Sequence, residues 1–445
     1  MEYSEILDFL WIAVALLAGL MFTRLFKKLN INCPDVTAFL IAGLLIGPNI
    51  LGRLGVEGLG FTTYDSVKKL SIISDAALGF IAFSIGSEFK FNEIKNIGKT
   101  ATVIGIVQAV CASALVDIVL IVLHFVLGEE VLPLSVAIVM GAIASATAPA
   151  ATLMVVRQYK ANGPLTKLLL PIVALDDAVG LIIFAISLGV AQAIQGGTIN
   201  IISIVVNPLL EIVCSLLLGS CLGYILSKLE KLFFSNSNRT SLAIALVLLT
   251  VGLSALKINI GSVVISFSSL LVCMMCGTLL CNLSEYADDI MKRISSWTAP
   301  LNACFFVISG AELQVEVFSN ISYVLIGTVY IVVRCLGKYF GSNLSAKYMK
   351  CDDNIVKYLG ITLFPQAGVA LGMCKQSVVL GSMPSTIIIN LTLFGVLIYE
   401  LVGPTLTKNA LLKAGEINID NKVNRRTKKR SLSKLLFLFV VLIIP

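Results

Sequence analysis

Two adjacent carboxylates, Asp176 and Asp177, stand in the middle of an otherwise apolar run, Leu169-Leu170-Pro171-Ile172-Val173-Ala174-Leu175-Asp176-Asp177-Ala178-Val179-Gly180-Leu181. If that run is a helix in hydrocarbon, each acid costs roughly 2.5–3.5 kcal/mol when left charged and unpaired. Something else in the chain has to offset that cost. Consecutive residues on a helix point about 100° apart, so the two acids cannot address the same partner. One can face a water-filled cavity while the other meets a buried cation. Arg334 and Lys338 are the candidate cations; they lie four residues apart in a second apolar run and share a helix face. Gly337 and Gly341 flank Lys338 and permit close helix approach. For Arg334, reaching out to the nearby membrane interface fits equally well.

Two further runs place a proline and polar groups where an uninterrupted helix would want neither: Ser145-Ala146-Thr147-Ala148-Pro149-Ala150-Ala151-Thr152 and Thr362-Leu363-Phe364-Pro365-Gln366-Ala367-Gly368. A proline removes a backbone donor and frees carbonyls one turn earlier. Ser145, Thr147 and Thr152 add hydroxyl oxygens beside Pro149, and Gln366 adds an amide beside Pro365. In either helix alone a simple kink would explain the proline. Two such helices crossing at one carboxylate pair would make an oxygen-lined site at mid-membrane, suited to a hard monovalent cation.

These groups need a membrane to sit in, and composition supplies the case for one. Of 445 residues 57% are hydrophobic and only 13% charged, and the mean hydropathy is +0.95, against about 25% charged in a soluble globular chain. Apolar stretches fall near 6–26, 34–51, 70–88, 100–127, 133–157, 165–194, 200–227, 240–256, 262–283, 297–314, 321–345, 356–376 and 383–407, each about the length that spans a bilayer core. The fold class expected is an all-α polytopic membrane protein of about thirteen spans. The first stretch follows an acidic Met1-Glu2-Tyr3-Ser4-Glu5, not a basic n-region, and reads as a retained helix.

Lysine and arginine fall mainly in alternate loops, among them Arg24, Lys27 and Lys28, then Arg157, Lys160 and Lys167, then Lys292 and Arg293. This places the N-terminus outside and the C-terminus in the cytoplasm of a cell-membrane protein. The net charge of +7 is thereby explained by orientation and gives no reason to expect nucleic acid as a partner. The 11 cysteines are scattered through apolar segments and read as small core or lipid-facing residues; the Cys273/Cys276 spacing is thin evidence for a metal. His124, the one histidine, reads as an ordinary residue near a membrane interface.

Segments seven spans apart resemble one another. Phe80-Ile81-Ala82-Phe83-Ser84-Ile85-Gly86-Ser87-Glu88 echoes Phe305-Phe306-Val307-Ile308-Ser309-Gly310-Ala311-Glu312, and the Pro149 segment echoes the Pro365 segment. An odd offset reverses direction through the membrane, so the expectation is a pair of inverted repeats at about 1–194 and 240–407, joined by a linker helix at about 200–227. Residues 1–416 would form one transmembrane domain, and 417–445 a basic cytoplasmic tail with a short apolar end.

The Ala174-Leu175-Asp176-Asp177-Ala178 run after a Thr147-x-Pro149 helix, the Gly337-Lys338-Tyr339 segment and the Pro365-Gln366-x-Gly368 helix together resemble bacterial sodium/proton antiporters of the cation:proton antiporter superfamily. The resemblance covers the chain to about Glu416. It implies a homodimer in which a core domain with two crossed, interrupted helices slides against a dimerisation domain. It also implies that Asp177 binds the ion or proton, that Asp176 pairs with Lys338, and that Thr147 contributes to the ligand shell. Ser145, Pro149, Pro365, Gln366 and Arg334 would support them. Some relatives carry an acid directly after that threonine where this chain has Ala148, which leaves ion selectivity open; the intact Asp pair implies electrogenic exchange. The transported species are expected to be H⁺ and Na⁺ or Li⁺, with no cofactor and no enzymatic step. Na⁺ and H⁺ would compete for one carboxylate, and competition alone couples their gradients. Alternatives are a K⁺/H⁺ antiporter or K⁺ efflux system of the same architecture and, further off, an organic-anion symporter, which the acid pair disfavours. An intramembrane aspartyl protease would need its two acids on separate, facing helices.

Overall fold

The computed structural model describes residues 3–29, 34–55, 60–87, 89, 91–195, 207–256, 258–260, 263–313 and 320–417. The expected basic tail lies outside these residues, as does Glu88.

Hydrocarbon offers no hydrogen-bond partner, so an apolar segment satisfies its backbone internally, as a helix. The order is α1 (Tyr3–Lys28), α2 (Asp35–Ile46), α3 (Tyr64–Lys68), α4 (Ser71–Ser87), α5 (Phe91–Leu127), α6 (Leu134–Ser145), α7 (Pro149–Gln158), α8 (Pro164–Ile194), α9 (Asn207–Leu229) and α10 (Asn236–Ser254). There follow β1 (Ile258–Ile260), β2 (Val263–Ile265), α11 (Ser269–Leu283), α12 (Ala287–Trp297), α13 (Ala299–Glu312), α14 (Ile321–Tyr348), α15 (Asp353–Thr362), α16 (Gly368–Gln376) and α17 (Ser382–Lys413). Among the described residues, eight helical segments are long and apolar enough to cross a membrane, and shorter apolar helices such as Ser71–Ser87 and Ser269–Leu283 join them. Side chains such as Phe125, Leu217 and Leu325 point outward, as a lipid solvent allows.

Two expectations need correction. The stretch expected to cross from residue 262 begins as a strand: Val263–Ile265 pairs antiparallel with Ile258–Ile260, Asn259 opposite Val264, and helix starts only at Ser269. Isoleucine and valine run together on both sides of Gly261 and favour a pleated ribbon over a helix start. The segment before the next span, passed over as a polar loop, is the amphipathic helix α12, which buries Ala287, Ile290 and Ile294 and leaves Asp288, Asp289, Lys292 and Arg293 outside. Its apolar positions recur at helical spacing but are too few to register as a membrane segment.

Proline alone does not decide where the helices break. Pro171 and Pro404 lie inside continuous α8 and α17, whereas the chain leaves helix at 146–148 and at 363–367. Segment Leu134–Gln158, containing the first break, is the most enclosed of the membrane-length segments. Around it α2, α6, α13 and α17 build the largest apolar core, while α4, α9, α10, α11 and α12 form a separate one.

Two devices fix the helices that carry the ionisable residues. α14 lies directly on α5 because Gly337 and Gly341 present no side chain there: a Cβ on Gly337 would come within 2.7 Å of Ala112 Cα, and one on Gly341 within 2.8 Å of Gln108 Cα. The small residues flanking Lys338 do what their spacing suggested. At the start of α8, the Glu416 carboxylate accepts the backbone N–H groups of Leu165 (2.6 Å) and Thr166 (2.8 Å) and the Thr166 hydroxyl (2.5 Å). An anion at a helix N-terminus meets both orphan donors and the positive end of the dipole. The end of α17 thus anchors the helix that carries Asp176 and Asp177.

Candidate ion and proton site

Asp176 is completely enclosed, midway along α8. Lys338 of α14, also completely enclosed, places Nζ 2.8 Å from its Oδ2. The Thr147 hydroxyl, from the break between α6 and α7, donates to the same oxygen. On the other side Gln108 of α5 donates from Nε2 to Oδ1 at 2.5 Å. Lys338 spends its remaining protons on Thr147 Oγ1 at 3.0 Å and on the Ser145 carbonyl. All three ammonium donors are therefore met, and both carboxylate oxygens accept at least one hydrogen bond, as a buried ion pair requires.

Arg334 does not reach for the interface. It is fully buried, one helical turn from Lys338, and its guanidinium fork donates from Nε to the Ala144 carbonyl (2.9 Å), from Nη2 to Ala146 (2.6 Å) and from Nη1 to Phe364 (2.7 Å). The Tyr399 ring lies over it, with the guanidinium carbon 4.5 Å from the ring centre. Carbonyls at the negative ends of α6 and α15 thus meet a fixed cation. Both interrupted helices are satisfied by one side chain that bridges them.

The breaks also bind each other. Ala148 N donates to the Pro365 carbonyl at 2.8 Å, and the Thr152 hydroxyl to the Thr362 carbonyl at 3.4 Å. Gln366 donates to the Ile143 carbonyl at 2.7 Å, and Tyr330 donates to the Gln366 carbonyl oxygen at 3.1 Å. Pro149 occupies the first position of α7, where a missing donor costs nothing.

Most residues singled out in the sequence therefore converge here: Asp176, Thr147, Lys338, Arg334, Ser145, Pro149, Pro365 and Gln366. Asp177 lies in α8 beside Asp176, and its side chain is outside the described ones. Two roles differ from expectation. The Ser145 hydroxyl turns back to the Ala142 carbonyl (2.7 Å) within its own helix, and only the Ser145 backbone carbonyl reaches the site. The carbonyl oxygens at the two breaks, expected to line a site for a transported cation, accept hydrogen bonds from Arg334, Lys338 and the Ala148 N–H. Gln108, Tyr330 and Tyr399 went unnoticed. Gln108 had a legible signal, being the one amide side chain in the apolar run 103–127 of α5; the two tyrosines had none, since tyrosine is common in such segments. Among the described residues no cluster of histidine, cysteine and acid could hold a metal ion, and Cys273 and Cys276 are free and buried.

The family profile described as "Sodium/hydrogen exchanger, transmembrane" matches residues 12–412. A curated relative, the high-affinity Na(+)/H(+) antiporter NhaS3 of Synechocystis, is 24% identical over 343 residues, covering 70% of each chain. Among solved structures, the sodium proton antiporter MjNhaP1 from Methanocaldococcus jannaschii at pH 8 superposes with a TM-score of 0.65 at 19% identity, over 92% of this chain and 99% of that one. The electron-microscopy structure of the same antiporter gives 0.73 at 17% identity, over 94% and 100%.

Proposed function

The chain belongs to the sodium/hydrogen exchanger family, and we propose that it moves Na⁺ or Li⁺ against H⁺ by competition for the carboxylate of Asp177. The observation that carries this reading is the saturation of Asp176. Its two oxygens are engaged by Lys338, Thr147 and Gln108, so the negative charge of Asp176 is balanced within the protein. A second acid adjacent to it in the sequence is not needed for that balance. Asp177 is then the group assigned to take a proton or a metal ion in turn. Family membership makes the protein a transporter, with no enzymatic step to explain.

Lys338 has a part in this beyond structure. An ammonium held by Asp176, Thr147 and a carbonyl loses part of its stabilisation whenever an incoming cation competes for the same oxygens, and its proton can leave with that exchange. Two acids and one lysine acting together support electrogenic exchange. The breaks at 146–148 and 363–367 belong to the domain that moves, because Arg334 and the Ala148–Pro365 hydrogen bond tie both to one unit. Residues 1–416 act as one transmembrane domain of two inverted repeats, about 1–194 and 240–407, linked near 200–227. That domain works as a homodimer in the cell membrane with its N-terminus outside and its C-terminal tail cytoplasmic. Alternating access is by sliding of the core.

Proteoliposomes holding a proton gradient test the substrate assignment. Added Na⁺ or Li⁺ dissipates the gradient and choline does not. Dissipation by K⁺ but not Na⁺ would move the assignment to K⁺/H⁺ exchange on the same site, and failure of every alkali cation would overturn it.

A further inference from the structure

A cavity of about 650 Å³ opens between the end of α7, the first half of α8 and α12. Arg157, Lys160, Lys167 and Lys292 line it, together with the amide of Asn162; its described lining contains no carboxylate, and Thr166 in the same wall has its hydroxyl engaged by Glu416. The basic residues along this face of the protein follow from membrane orientation, but orientation only scatters them around a rim. Here four cations from three separate elements converge on one concavity. Lys160, Lys167 and Lys292 are solvent-exposed, and like charges facing one another across a concave wall focus a positive potential into it. Pro171 forms part of the same wall, five residues before Asp176 on α8 and so about 7.5 Å along the helix axis. Lys167, the cation of this wall on α8, stands nine residues before Asp176 and so about 13.5 Å along the axis, and the positive potential opposes the approach of a transported cation from this side.

We propose that this cavity binds a phosphate-bearing anion, and that its occupancy speeds cation entry to the carboxylate pair. Lysine ammonium and arginine guanidinium groups with an amide donor between them are the chemistry that holds phosphate. The apolar remainder of the wall, Phe89, Leu153 and Met291 among it, suits the first acyl carbons of a phospholipid, while the basic side chains alone would hold a free phosphate. The effect on rate rests on the exchanger reading; the binding does not.

The test uses the whole protein in three settings of equal ionic strength: phosphatidylcholine nanodiscs with chloride, the same nanodiscs with inorganic phosphate, and nanodiscs containing phosphatidylglycerol. The heat-denaturation midpoint of the wild type rises in the phosphatidylglycerol setting if a lipid headgroup is the ligand, or in the phosphate setting if a free anion is. The combined variant Lys160→Gln, Lys167→Gln, Lys292→Gln loses that rise. If the combined variant does not fold, each single substitution reduces the rise. No rise above the chloride control in either setting, or an undiminished rise in the variants, overturns the site. In proteoliposomes the same ligand raises the wild-type exchange rate about twofold or more, and an unchanged rate overturns the regulatory half. The Asp177→Asn variant keeps the midpoint shift while losing exchange, whereas a midpoint shift in the wild type with no exchange in any setting sinks the exchanger reading and leaves the cavity standing.

Discussion

At the scale of single residues, the site is an ion pair whose every polar atom has a task. Lys338 and Asp176 are both out of contact with solvent, where leaving one charge alone costs about 3–5 kcal/mol. Lys338→Ala is accordingly expected to lower the thermal stability of the purified protein and to change the number of protons moved per Na⁺; unchanged stoichiometry in reconstituted vesicles would remove Lys338 from coupling. Gln108→Leu keeps the bulk of the side chain and withdraws the donor to Asp176 Oδ1, a loss of about 1–3 kcal/mol for a buried acceptor. The expected result is a lower denaturation midpoint and slower exchange, read by heat denaturation and by dye-reported proton flux. Wild-type values for both would assign the Gln108 contact no role.

At the scale of elements, the crossing of the two interrupted helices depends on α14. Arg334→Met removes three hydrogen bonds to Ala144, Ala146 and Phe364 and leaves buried carbonyls at two helix ends, so a loss of several kcal/mol of stability is expected at about 1–3 kcal/mol per orphaned group. Gly337→Val drives a side chain into α5, where a Cβ already stands 2.7 Å from Ala112 Cα, and is expected to lower folded yield in size-exclusion chromatography far more than Leu336→Val on the lipid-facing side. The helices and the breaks were legible in the sequence, because apolar length and a proline among polar residues are local signals. The partners of the freed carbonyls were not. Nothing near Pro149 says that residue 334 will reach it, and that contact exists only once α14 packs on α5 through Gly337 and Gly341. The hairpin at 258–265 was lost for the opposite reason, since a short β-branched run has the same hydropathy as a helix start.

At the scale of the whole molecule, the Lys338–Asp176 pair is neutral as a unit, and in the proposed cycle Asp177 supplies the charge that changes with its occupant. A cycle in which two protons replace one Na⁺ moves net charge across the membrane, about 2.3 kcal/mol per elementary charge per 100 mV. Clamping the membrane potential with K⁺ and valinomycin is therefore expected to change the exchange rate; insensitivity would make the cycle electroneutral. The central claim, that Asp177 is shared in turn by a cation and a proton, is tested most directly by Na⁺-driven proton movement in everted vesicles from cells without their own exchangers, measured across pH. Asp177→Asn, present in the membrane at wild-type level, is predicted to show no pH-dependent Na⁺/H⁺ exchange. Exchange that persists in this variant with wild-type pH dependence would contradict the account.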